Sequence, residues 1–132
     1  MNIIQFPPER VLDINRYILD SSPGHRGPAN MALLEGALGR IDNAIVYNDL
    51  NDVFLIAAKY AMAIGTAHAF SDANKRTGLA LCLEYLSLND YEIERDNEKL
   101  ADAMVDLVLG ELPESQFADI LYALWLEERA AP

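Results

Sequence analysis

Apolar residues fill positions 53–67 almost without interruption, and again 75–88, where Glu84 and Ser87 are the main exceptions. A helix that is apolar all round is buried on every side. Both stretches are therefore expected as central helices, the first capped by Asn51. The flanking segments are amphipathic instead. Pro7-Pro8 followed by Val11, Ile14, Tyr17 and Ile18 fits a helix that starts on proline. The Pro and Gly content of 21–28 makes it a loop. Residues 29–38 read as a second helix ending near Gly39. Segment 41–47 is ambiguous: Ile45, Val46 and Tyr47 have strand character, bounded by Asn43 and Asn48-Asp49, so a short β segment is expected near 41–47. Tyr91-Glu92-Ile93-Glu94 alternates like a short strand. Asp96 or Asn97 caps a fifth helix, with Leu100, Met104, Leu107 and Val108 on one face and an end at Gly110. Leu112-Pro113-Glu114 opens a sixth, with Phe117, Ile120, Leu121, Leu124 and Trp125 inward. No repeat, low-complexity segment or linker interrupts this pattern. It predicts one domain over residues 1–132, an all-α bundle around two buried central helices.

Composition agrees. A chain of 132 residues with 52% apolar residues can form a real core without disulfide or metal staples. The single cysteine, Cys82, lies in an apolar run and reads as a buried thiol, which fits a reducing cytoplasm. The N-terminal Met1-Asn2-Ile3-Ile4-Gln5 has neither the basic start nor the apolar core of a signal peptide. The apolar stretch 53–67 contains Lys59 and is too short for a bilayer, so no membrane association is expected. The net charge of −11 disfavours direct binding of nucleic acid.

Against that acidic background, His68-Ala69-Phe70-Ser71-Asp72-Ala73-Asn74-Lys75-Arg76 stands out. It carries an imidazole, a carboxylate, an amide and two cations, directly before the second apolar helix. The first turn of a helix leaves four backbone N–H groups unpaired and carries partial positive charge, which suits a phosphate. Asn74 can cap that turn, and Lys75 and Arg76 add full charges where an anion would sit. Histidine exchanges protons near neutrality, so His68 is the candidate general base. Asp72 reads as an N-cap or as an Mg²⁺ ligand, since Mg²⁺ is commonly held by one or two carboxylates plus substrate phosphates. Phe70 reads as a core anchor. His25, His68 and Asp72 do not make a zinc set, and there is no Walker A or Gly-x-Gly-x-x-Gly loop.

The same segment resembles the signature of the Fic/Doc family in its Doc-type form, His-x-Phe-x-x-Ala-Asn-Lys-Arg, and all six fixed positions match. Ser22-Pro23-Gly24-His25-Arg26 and Leu33-Leu34-Glu35-Gly36-Ala37-Leu38 are similar to the family's Pro-Gly-x-Arg loop and Leu-Leu-Glu-Ser-Ala-Leu helix. Leu83-Glu84-Tyr85-Leu86-Ser87-Leu88-Asn89-Asp90-Tyr91 is similar to its Phe-Leu-x-Leu-Asn-Gly ending. The likeness covers most of residues 10–125 and implies the family's helical fold. It also implies a death-on-curing toxin that moves the terminal phosphate of ATP, with Mg²⁺, onto a Ser/Thr hydroxyl of a protein, elongation factor Tu being the family's known target, and so arrests translation. Arg26 and Tyr47 would then contact the protein substrate.

Branches of the family that transfer AMP resemble His-Pro-Phe-x-x-Gly-Asn-Gly-Arg-x-x-Arg. Here Ala73, Lys75 and Leu79 replace the two glycines and the last arginine, as in the Doc-type branch. AMP transfer is the alternative chemistry, because the outcome depends on which phosphorus lies in line with the hydroxyl. A non-catalytic nucleotide-binding module is the alternative from another class, and the intact His68 favours the enzyme. The family's inhibitory pattern, Ser/Thr-x-x-x-Glu-Gly/Asn, is absent, so an antitoxin acting in trans is the expected partner.

Overall fold

The structure, a computed structural model, describes residues 4–130. They form six helices: α1 Pro8–Ser21, α2 Met31–Tyr47, α3 Val53–Thr66, α4 Asn74–Leu88, α5 Glu98–Val108 and α6 Glu114–Ala130. Helices α3 and α4 pack on each other at the centre. α2, α5 and α6 cover α3, and α1 lies along α4. The all-α bundle around two buried helices is therefore the observed fold. Among the described residues, no helix is long and apolar enough to cross a membrane.

Small residues set the spacing of the central pair. A Cβ on Gly78 of α4 would lie 2.8 Å from the Ala61 carbonyl oxygen and 3.0 Å from the Gly65 nitrogen of α3. The two backbones thus nearly touch, and Met104 of α5 closes over the junction. Larger side chains pack edge-on in two groups beside the pair: Phe6 against Tyr60 and Tyr85, and Tyr91 against Phe54 and Trp125. Such pairs add about 0.5–1.5 kcal/mol beyond their buried area.

The expected β segment at 41–47 is helix. α2 runs through Gly39 to Tyr47 because Leu34, Ala37, Leu38, Ile41 and Ile45 recur at helical spacing and are all buried. That continuous stripe outweighs the strand propensity of Ile45-Val46, whose second member is exposed. Residues 91–94 are not a strand either, and no strand occurs among the described residues. Ile93 is buried there, but no neighbouring strand is available to pair with. The cap of α3 is Asp52, one residue later than expected; its side chain accepts from Phe54 N–H and Leu55 N–H. Asn30 and Asn97 cap α2 and α5 in the same way.

Gly78→Ala and Gly39→Ala should have opposite effects. A methyl at Gly78 meets backbone that cannot yield, and overpacking costs roughly 1–3 kcal/mol, more than the ~1 kcal/mol gained from better helix propensity. Nothing lies within 4 Å of a Cβ at Gly39, so that variant should keep the propensity gain. Urea midpoints of the two variants check this.

Candidate active site

The segment joining α3 to α4 turns twice through the left-handed region, at His68 (φ 55°) and at Ala73 (φ 63°, ψ 28°). Neither is glycine, and such positions cost of order 1–3 kcal/mol each unless the surroundings enforce them. Several contacts do so. The Asn74 side chain accepts from Phe70 N–H at 3.2 Å and donates to the Phe70 carbonyl at 3.0 Å, closing the loop on itself. Phe70 is buried and anchors it in the core. Asn74 is thus not a cap of α4. It is the first helical residue, and the N-cap position is Ala73, which has no side chain to offer.

The consequence is an open helix start. Among the described residues, the backbone N–H groups of Asn74, Lys75 and Arg76 have no protein partner. They face a cleft of about 290 Å³ lined by Gly65, His68, Ser71, Asp72, Ala73, Asn74, Lys75, Arg76 and Val108. A larger cleft of about 460 Å³ lies between α1 and α4, around Arg10, Tyr17, Glu84 and Arg95. Its cation Arg10 is already paired with Glu84, and the Arg10 N–H, in the first turn of α1, is bonded to the Pro7 carbonyl, so size alone does not mark the site. Within the smaller cleft His68 and Lys75 are exposed and make no hydrogen bond or ion pair among the described residues. Both are available to a ligand.

Arg76 and Asp72 are braced by the loop after α1. Arg76 donates to Ser22 Oγ at 2.6 Å and reaches the Pro23 carbonyl at 3.5 Å. Asp72 accepts from His25 N–H at 2.8 Å through one carboxylate oxygen and from Ala73 N–H at 2.7 Å through the other. These two backbone donors, His25 first, hold the Asp72 carboxyl below its ordinary value, with a further contribution from the Arg76 charge. A carboxylate has about four lone-pair sites, so two donors leave Asp72 room for a cation. Among the described residues no group of three or more His, Cys, Asp or Glu could hold a metal. An ion here would take its remaining oxygens from water or a ligand, which fits a Mg²⁺–phosphate pair.

Two other candidates lie apart. The Arg26 guanidinium is engaged by Asp20 at 2.6 Å and by the Leu19 carbonyl at 2.8 Å, so it fastens the loop to the end of α1. Tyr47 ends α2 with 81% of its surface exposed and does not line the cleft. One residue escaped the sequence reading. Asn15 of α1 is 8% exposed and donates to the Asp72 carbonyl at 3.0 Å and to Thr77 Oγ1 at 3.1 Å. Its signal was present: it is four residues after Val11 and three before Ile18, a polar residue on an apolar stripe.

Comparison with known proteins gives one family. The model of the Fic/DOC family matches residues 5–86. A protein named "Protein kinase doc", from Escherichia phage P1, is 31% identical over 118 residues, which are 89% of this chain and 93% of that protein.

The Asp72 tether makes an acid prediction. A depressed carboxyl contributes stability above its unfolded value, near 3.8, and loses it as pH falls through the lower folded value. Asp72→Asn should therefore be less stable than the native chain at neutral pH, and the gap should close on acidification below that range. Thermal midpoints of both proteins against pH measure it.

Proposed function

The chain belongs to the Fic/DOC family, and on that premise we propose that it is a Doc-type toxin that transfers the terminal phosphate of ATP to a Ser/Thr hydroxyl of a protein. The observation that carries this is the open start of α4. Three unpartnered backbone N–H groups, two cations, an ionised carboxylate and an exposed imidazole share one cleft. Such a set serves an anion that reacts beside a base.

In this reading the terminal phosphate rests on the N–H groups of Asn74, Lys75 and Arg76, where the helix dipole and both side-chain cations oppose its charge. Arg76 is already aimed by Ser22 and Pro23, whereas Lys75 is free to follow the phosphate. Asp72 and the nucleotide phosphates would hold Mg²⁺, which when bound neutralises charge on the phosphate oxygens. His68 accepts the proton of the attacking hydroxyl. The oxygen–phosphorus bond to the substrate forms as the bond to the bridging oxygen breaks, and the nucleoside diphosphate leaves. The name of the phage relative supports phosphate transfer over AMP transfer, as do Lys75 and Leu79 at positions that are glycine and arginine in AMP-transferring branches.

The substrate would be a cytoplasmic protein, elongation factor Tu being the target that the resemblance implies. The exposed ring of Tyr47 is a contact for it, and Arg26 acts by shaping the loop that holds Asp72. An antitoxin supplied in trans would restrain the enzyme.

Incubation with ATP, Mg²⁺ and elongation factor Tu, followed by intact mass, should show one added phosphate; one added AMP would establish the other chemistry. Loss of a general base costs about 10²–10⁴-fold in rate, so His68→Ala should lose transfer by that factor while ATP still binds. Arg76→Ala should weaken ATP binding itself. Full transfer by His68→Ala would remove the histidine from the mechanism.

A further inference from the structure

We infer that Asn15 is a positioning residue for the reaction, acting through the Asp72–Ala73 peptide; the inference rests on the function proposed above. That peptide enters the left-handed Ala73 position, where an alanine gains nothing from its own side chain. Both its polar ends are held. The Ala73 N–H bonds to the Asp72 carboxylate at 2.7 Å, and the Asp72 carbonyl accepts from Asn15 at 3.0 Å. The second Asn15 hydrogen goes to the fully buried Thr77 hydroxyl at 3.1 Å, one turn into α4. One amide group from α1 therefore spans the loop and the helix that it opens.

The geometry makes this more than packing. If the peptide rotates, the Asp72 carboxylate moves with it, and so does the direction of the first free N–H groups of α4. Asn15 is the only side chain outside the loop and α4 that holds this peptide among the described residues. His25 holds the carboxylate, which can swing about its own bonds, but not the carbonyl. A leucine at position 15 would fill similar space and keep α1 apolar, yet it would release the carbonyl.

Asn15→Leu and Thr77→Val separate positioning from stability. Each removes buried hydrogen bonding and so lowers stability, and only the first frees the Asp72 carbonyl. Transfer is measured well below both melting temperatures, together with the backbone amide resonances of Ala73 to Arg76 in the protein without nucleotide. A misplacement of about 1 Å can cost 10²-fold, so Asn15→Leu should lower kcat by about that factor and raise the Mg²⁺ concentration needed for half-maximal rate. It should also shift the Ala73 and Asn74 resonances. Thr77→Val should lose stability but keep kcat and those resonances. Should Asn15→Leu not fold, Asn15→Ser, too short to reach the carbonyl, replaces it. Native kcat and unshifted resonances in the Asn15 variant overturn the inference, as does an equal loss of kcat in Thr77→Val. If the native protein transfers no phosphate, the functional reading falls, and the resonances alone decide the role of Asn15.

Discussion

A phosphate site made from backbone N–H groups has to be rigid and unoccupied at once. Three helix starts are made rigid by being occupied: Asn30, Asp52 and Asn97 each cap their own helix with a side-chain oxygen. α4 does not. Its N-cap position is an alanine in the left-handed region, and the polar side chain next in line, Asn74, turns back to grip Phe70. The order comes from outside the helix start, so the N–H groups stay free. The remaining arrangement follows. Phe70 anchors the loop in the core, Asp72 ties it to His25, Arg76 ties it to Ser22, and Asn15 holds the peptide between Asp72 and Ala73. Strain at His68 and Ala73 is tolerable because each neighbour removes an alternative conformation.

The central helices serve the same end. The close approach of Gly78 to Ala61 and Gly65 sets α4 directly beside α3, so the short link between them has little slack. The open start of α4 and the exposed His68 then fall on one cleft.

Much of this was legible in the sequence. Stretches that are apolar on every side marked α3 and α4 without ambiguity, and the density of chemical groups from His68 to Arg76 marked the site. What failed were judgements where two local tendencies compete. Ile45-Val46-Tyr47 looked like a strand, but the buried stripe from Leu34 to Ile45 extends the helix. Asn51 and Asp52 are both good caps, and spacing to Phe54 and Leu55 chose Asp52. Asn74 looked like a cap by residue type alone, while its role depends on a loop backbone that sequence does not show. The braces from Ser22, His25 and Asn15 are contacts between residues far apart in the chain, and no local pattern carries them. Only Asn15 left a trace, as a polar residue on an apolar stripe.

The central claim is that the free N–H groups at the start of α4 receive phosphate. Titrating the ¹⁵N-labelled protein with ATP and Mg²⁺ tests it most directly. The account predicts that the backbone resonances of Asn74, Lys75 and Arg76 move most and saturate together, and that Arg10 and Tyr17 in the larger cleft do not respond. Saturable shifts at Arg10 and Tyr17, with Asn74 to Arg76 unmoved, would contradict it.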